Sequence, residues 1–271
     1  MSRPIPKPKI FYTARKPVSA RVIHGDCLSS MDKLIKENKK FDMIFADPPY
    51  FLSNGGITCQ SGKMVKVDKG SWDKSQGQKL NHEFNIEWIR RCKELLKDHG
   101  TLWVSGTMHI IYSVGFAMQE LEMKILNNVT WQKPNPPPNL AGRYFTHSTE
   151  TLLWARKNQK SKHIYNYSLM KEENNGKQMK DVWTFTAAKK SEKTEGKHPT
   201  QKPIVLLERI IKASTKEGAT ILDPFLGSGT TSVAAMLSGR NSTGIEQNKK
   251  FCELSKKRIQ WAQKEAKKQS K

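Results

Sequence analysis

Apolar and polar positions along the chain follow two different periods. Nearly continuous apolar runs of strand length occur at Arg21–His24, Phe41–Ala46, Thr101–Val104, Thr220–Leu222 and just before Glu246. Runs of this kind suit strands covered on both faces. Between them apolar residues recur three or four apart, as at Phe84, Trp88, Ile89, Cys92, Leu95 and Leu96. The same spacing predicts helices near Leu28–Lys36, over Ile110–Leu121 and Val205–Ile211, through Val233 and Leu237, and from Phe251 to Ala262. Gly100 is read as the break between the helix ending near Leu96 and the next strand. Strand and helix alternate, which predicts an α/β core.

Two stretches break this rhythm. From Ser53 to Asn81 the apolar pattern gives way to glycines and to lysines such as Lys63, Lys66 and Lys69. A loop that long is expected to be mobile and functional, closing over a ligand. From Trp131 to Lys197 prolines cluster at 134 and 136–138, and basic residues interleave with Tyr144, Phe145, Tyr165, Tyr167, Trp183 and Phe185. This stretch reads as an insertion on the core. The expected organisation is a basic arm (1–20), one half of the core (21–130), the insertion (131–197), the second half (198–263) and a basic tail (264–271).

Charge narrows the class of partner. Forty-seven Lys and Arg against 25 Asp and Glu give a formal net charge of +22, a positive field suited to a polyanion. The four cysteines, 27, 59, 92 and 252, show no zinc spacing, and the seven histidines form no metal set, so reduced thiols and no catalytic metal are expected. No apolar run reaches membrane-spanning length. Pro4, Pro6, Pro8 and Pro17 would spoil the amphipathic helix of a transit peptide, and a cytoplasmic location is expected.

Two motifs carry chemistry. The first is Asp47-Pro48-Pro49-Tyr50, directly after a strand, where open α/β sheets bind ligands. An exocyclic amino group on a base is a poor nucleophile because its lone pair is delocalised into the ring. The Asp47 carboxylate and the Pro48 carbonyl could both accept hydrogen bonds from it, aiming the lone pair at a methyl sulfonium. The two prolines preorganise the turn, and Tyr50 is expected to stack on the base. The second motif, Asp223-Pro224-Phe225-Leu226-Gly227-Ser228-Gly229-Thr230-Thr231, links a strand to a helix. Its glycines allow a tight turn and close approach, and the helix amino terminus offers N–H groups to a carboxylate. A phosphate-binding loop is disfavoured because no Gly-Lys-Ser/Thr follows. Glu246 ends the next strand, placed for ribose hydroxyls. Alone, this motif indicates an adenosine-containing cofactor.

Together with His198-Pro199-Thr200-Gln201-Lys202-Pro203, these segments resemble the β-class amino-methylating DNA methyltransferases over nearly the whole chain. In that class the catalytic tetrapeptide precedes the glycine motif. In detail, Phe45–Gly56 and Asn127–Arg156 most resemble the second adenine methylase of DpnII-type restriction–modification systems. The resemblance implies a Rossmann-like methyltransferase fold with circularly permuted motif order, and S-adenosyl-L-methionine as cofactor. It also implies methylation of adenine N6, in GATC, on a base flipped from its duplex; single-stranded DNA and a homodimer remain open. By resemblance Asp223, Phe225, Gly227, Ser228, Gly229 and Thr230 line the cofactor pocket. Glu246 holds the ribose, Asp26 lies near the adenine, and Thr200, Gln201 and Lys202 meet the methionine end.

The insertion becomes the target-recognition region. Arg143, Arg156, Lys157, Lys180, Lys189 and Lys190 there, with Lys63, Lys66 and Lys69 before it, are candidates for DNA contacts. Tyr144, Tyr165 and Trp183 are open to stacking on bases or to packing within the insertion. A cytosine-C5 enzyme is excluded for want of a Pro-Cys dipeptide. Cytosine-N4 methylation, whose family members more often carry Ser at the place of Asp47, is the nearer alternative. A catalytically silent DNA-binding protein is opposed by the intact motifs.

Overall fold

The computed structural model describes residues 18–53, 57–60, 63–66, 73–196 and 198–269. In chain order the elements are β1 (Ala20–His24), α1 (Cys27–Lys36), β2 (Phe41–Ala46), β3 (Ile57–Gln60), β4 (Lys63–Lys66) and α2 (Gln78–Leu95). They continue with β5 (Leu96–Gly106), α3 (Ile111–Glu120), β6 (Lys124–Gln132), β7 (Thr149–Arg156), α4 (Tyr167–Glu173) and β8 (Val182–Thr184). The chain closes with α5 (Ile204–Ser214), β9 (Thr220–Asp223), α6 (Thr230–Leu237), β10 (Asn241–Glu246) and α7 (Lys249–Gln269).

One eight-stranded sheet runs β1-β10-β9-β2-β5-β7-β6-β8, and only β7 is reversed against its neighbours. β2 lies at its centre with all six residues buried, which explains a nearly continuous apolar run interrupted by Asp42 alone. Its side chains divide between the two faces. Phe41, Ile44 and Ala46 join α1, α2 and α3 on one side; Met43 and Phe45 join α5 and α6 on the other. The second face is tryptophan-rich: Trp103 stacks on Trp154 at 4.9 Å and 11°, and its Nε1 donates to Ser214 Oγ at 3.1 Å. α7 packs behind α6 through Ile259 and Ala262. Among the described residues no helix is long and apolar enough to cross a membrane.

Three expectations about elements change. The Ser53–Asn81 stretch is not wholly irregular, since β3 and β4 pair as an antiparallel hairpin and α2 already begins at Gln78. The polar first turns of α2 hide its start from an apolar pattern. β5 follows α2 directly at Leu96, and Gly100 lies inside the strand, where an added Cβ would meet the Phe41 carbonyl oxygen at 2.9 Å. Finally, part of the predicted insertion is core. β7 sits between β5 and β6 with Leu152, Leu153, Trp154 and Ala155 buried, while 133–148 and 157–181 leave the sheet. The four-residue apolar run of β7 stands directly before Arg156 and Lys157, in a region whose prolines and basic residues interrupt the strand–helix rhythm, and so did not read as core.

Asp42 ties three strands together at the end of the sheet opposite Asp47. Its carboxylate accepts from Lys97 Nζ (2.8 Å), from Thr220 N (2.8 Å) and Oγ1 (2.9 Å), and pairs with His99 Nε2 (2.9 Å). Burial pushes its pKa up, but these partners outweigh burial and hold it at about 2. Asp42→Ala leaves those donors unpaired and should cost about 2–3 kcal/mol in equilibrium unfolding with urea.

Candidate active site

The site is built where β2 and β9 meet. Met43 and Ile44 pair with Ile221 and Leu222, so the segments after Ala46 and Asp223 leave the sheet side by side. These are the two sequence motifs, 176 residues apart when counted from Asp47 to Asp223. From this junction the strand order runs outward in both directions, the crevice where open α/β sheets bind ligands. A cavity of about 310 Å³ opens there.

Asp47 is held from both sides. Its Oδ1 accepts the Tyr50 hydroxyl at 2.8 Å and its Oδ2 accepts Lys202 Nζ at 2.6 Å. Lys202 is buried, and lies 3.3 Å from the Tyr50 hydroxyl and 3.5 Å from Glu150 Oε2. Burial pulls its pKa down, but Asp47 and Glu150 outweigh that and leave it above the ordinary value. Glu150, at the start of β7, also pairs with Lys133. Burial pushes the Glu150 pKa up; the two lysines bring it instead to about 2. Two carboxylates and two ammonium groups thus balance in a mostly buried cluster. Tyr50 differs from its expected role, for it is only 8% exposed and its hydroxyl points inward to Asp47 and Ser105. Lys202, expected at the methionine end of the cofactor, lines the cavity and is paired there with Asp47.

Sequence reasoning missed Glu150, Lys133 and Asp73. Asp73 is fully buried; its Oδ1 accepts from Tyr50 N (2.9 Å) and its Oδ2 from Leu52 N (3.2 Å) and Ser53 Oγ (2.8 Å). Between those two backbone donors stands Phe51 at φ 56°, a left-handed conformation that costs a bulky side chain free energy. The Asp73 carboxylate therefore fixes the strained turn behind the tetrapeptide. No sequence signal singled it out, because its partners are backbone groups across a stretch without periodicity.

The second motif makes the opposite wall. Gly227 and Gly229 adopt φ 52° and 79°, and a Cβ at Gly229 would meet Ser255 Cβ at 2.7 Å. Glu246 accepts from Gly227 N (2.8 Å) and Asn248 N (2.7 Å), which braces the loop against β10. Asp223 is fully buried, and burial raises its pKa to about 7 despite donation from Thr231 and Phe225 N. Phe225 packs edge-on to Trp88 at 5.5 Å. Asp26 caps α1 by accepting from Ser29 N at 2.9 Å. Gln201 donates to the Glu192 carbonyl, its buried Oε1 has no partner among the described residues, and Thr200 N reaches His198 Nδ1 at 3.3 Å. Asp26, Thr200, Gln201, Asp223, Phe225, Gly227 and Glu246 all line the cavity.

The cavity carries Asp26, Asp47, Asp73, Asp223 and Glu246 against Lys74 and Lys202, in a chain of net charge +22. An acidic lining suits a cationic sulfonium, and an unpaired acceptor such as Gln201 Oε1 suits an ammonium. The residues present therefore fit S-adenosylmethionine.

The candidate DNA contacts do not gather in one place. Arg143 lies on the exposed 133–148 segment, and Lys189 and Lys190 follow β8; both segments emerge on the Asp47 side of the sheet. Arg156 pairs with Thr101 at the far end, where it donates to the carbonyls of Gln159 and Ser161; beside it Lys157 donates to Leu96 O. Those two brace loops remote from Asp47. Lys180 is exposed ahead of β8; Lys63 and Lys66 fall on β4, and Lys69 lies outside the described residues. Trp183 is buried beside Trp103, and Tyr165 packs on Trp154, whereas Tyr144 is exposed.

A family model described as DNA methylase matches residues 41–257. The chain belongs to the DNA methylase family. It is 58% identical over 253 residues to the type II methyltransferase M2.DpnII of Streptococcus pneumoniae, covering 93% of this chain and 92% of that protein. It is 52% identical over 237 residues to M2.MboI of Moraxella bovis, covering 88% and 86%. Among solved structures, the M1.HpyAVI–SAM complex superposes with a TM-score of 0.69 at 28% identity, covering 89% of this chain and 98% of that one. The cytosine-N4-specific PvuII methyltransferase, at a TM-score of 0.68 and 15% identity over 94% of each chain, shares the fold. The enzyme is a DNA methyltransferase with the Rossmann-like fold and S-adenosylmethionine as its cofactor.

Two expected outcomes follow from this geometry. Asp73→Asn keeps the volume but loses one acceptor, and should lower kcat about ten- to a hundredfold with a smaller change in cofactor Kd, read by steady-state kinetics and calorimetry. Because the folded Glu150 value lies below the ordinary 4.5, its ionised form contributes stability above 4.5 that is lost as pH falls toward about 2. Glu150→Gln should therefore lower Tm at neutral pH and flatten its decline over that acid interval.

Proposed function

We propose that the enzyme methylates N6 of adenine within GATC, as the second methylase of a restriction–modification system, acting on a base turned out of its duplex. The observation that carries this reading is Asp47, paired with the buried Lys202 at the mouth of β2 and facing the glycine loop across one cavity. The extensive identity to M2.DpnII, together with Asp rather than Ser at position 47, supports adenine over cytosine.

Bound S-adenosylmethionine supplies an electrophilic methyl group on a sulfonium. Around it, Glu246 would hold the ribose hydroxyls and Phe225 would flank the adenine ring. The loop Gly227–Thr230, with Thr200 and Gln201, would receive the amino-acid end. Asp26, at the mouth of the first strand, would lie near the cofactor's adenine. On the other wall, Asp47 and the Pro48 carbonyl accept hydrogen bonds from the target amino group and turn its lone pair out of the ring plane. Lys202 and the Tyr50 hydroxyl fix the Asp47 rotamer, and Pro49 limits the turn that presents it. Asp47 is also the nearest acceptor for the proton released after transfer.

DNA would approach along the edge bearing Arg143, Lys189 and Lys190, with phosphate contacts providing most of the affinity. The exposed Tyr144 and Phe145 on the same loop would stack against unpaired bases. A single strand needs no flipping and would enter more easily. In the same reading a second copy of the chain would cover the exposed Met108, Tyr112 and Phe116.

A tritiated-methyl assay on GATC oligonucleotides with nucleoside analysis tests the reading: N6-methyladenine is the expected product, and N4-methylcytosine would overturn it. Asp47→Ala should reduce transfer at least about a hundred- to a thousandfold while DNA and cofactor still bind.

A further inference from the structure

Arg258 lies on α7, behind the glycine loop, and is 3% exposed. Its Nη1 donates to the Ser228 carbonyl oxygen at 2.7 Å, to Ser228 Oγ at 2.9 Å and to Thr230 Oγ1 at 3.0 Å. Among the described residues its Nη2 is buried without a hydrogen-bond partner and no carboxylate lies within ion-pair distance, although Glu192 attracts it from farther off. Burial draws its pKa down to about 10. A buried guanidinium without a paired carboxylate is costly, and a more distant carboxylate such as Glu192 offsets only part of that cost. The buried cation across the cavity, Lys202, has Asp47 and Glu150 as partners.

The direction of donation matters as much as the charge. Guanidinium groups only donate, so at each contact the loop supplies the lone pair. The Ser228 and Thr230 hydroxyls must then turn their own hydrogens elsewhere. Within the protein they meet only long contacts, 3.2 Å between the two oxygens and 3.3 Å from Thr230 Oγ1 to the Lys202 carbonyl. Both residues line the cavity. Beside them α6 starts at Thr230, and Gly229 before it has no side chain to cap the first-turn N–H groups. Hydroxyl hydrogens and backbone N–H groups thus form one set of donors in want of an anion, with a buried positive charge behind them.

We propose that Arg258 is a positioning residue for the cofactor: it turns the glycine loop into an all-donor cradle for the carboxylate at the amino-acid end of S-adenosylmethionine and supplies the buried counter-charge to that carboxylate. The inference rests on the cavity being the S-adenosylmethionine pocket, and its test needs no DNA and no turnover.

Calorimetric titration of the full chain with two nucleosides separates the possibilities. S-adenosylhomocysteine carries the amino-acid end and 5′-methylthioadenosine lacks it. Arg258→Met should weaken S-adenosylhomocysteine about ten- to a hundredfold and methylthioadenosine by less than about twofold. Arg258→Lys, which keeps a charge and loses the fork, should fall between wild type and Arg258→Met. If Arg258→Met does not fold, the ratio of the two Kd values in Arg258→Lys carries the comparison. Parallel weakening of both nucleosides would reduce Arg258 to a support for the loop and overturn the proposal. Unchanged affinity for S-adenosylhomocysteine would overturn it equally. Wild-type protein binding neither nucleoside would instead remove the pocket reading itself.

Discussion

Everything at the site depends on a short parallel pairing, Met43 and Ile44 of β2 against Ile221 and Leu222 of β9. It joins two segments distant in sequence and points both of their carboxyl ends the same way. Neither strand could occupy this place with a polar face, because helices cover the sheet on both sides at the junction. The apolar character of β2 and β9 is thus a requirement of the catalytic geometry as well as of the core. Had the two segments met in antiparallel register, Asp47 and Gly227 would face opposite ends of the sheet. The permuted order of the motifs is immaterial to this pairing, which needs only adjacency and direction.

The parts of the fold legible in the sequence were those with strong local periodicity. β2, α1, α3, α5 and α6 stand close to where their patterns place them. β7 escaped because its four buried residues sit among prolines and lysines, and its place in the sheet depends on pairing with β5 and β6, which no local pattern encodes. The two motifs were readable for a related reason: tetrapeptide and glycine loop are each contiguous, so the constraint is written in one stretch of chain. Glu150, Lys133 and Asp73 act across 23 to 100 residues of separation from Tyr50 or across 17 from one another. Single charged residues of that kind are indistinguishable from surface charges until folding removes them from water. Arg156 and Lys157 show the converse, basic residues in a basic region that are engaged in bracing loops.

Electrostatics divides the molecule into two regimes. The surface charge of the whole chain is strongly positive and reaches a distant polyanion, to the extent that salt permits. Inside the cavity the balance reverses, with carboxylates outnumbering ammonium groups. A polyanion and a sulfonium therefore experience opposite signs of potential from the same protein, each where it is needed. The buried Asp47–Lys202–Glu150–Lys133 cluster lies at the border between the regimes and is itself balanced. Its neutrality lets it sit near either ligand without opposing the arrival of the other.

Both oxygens of Asp47 already have partners before any base arrives. Each oxygen keeps a lone pair beyond the one engaged, so an incoming amine adds its hydrogen bond without displacing either partner. The arrangement is in effect a rest position identical to the working one: the acceptor stays aimed between turnovers because the partners that hold it need not leave when the amine arrives.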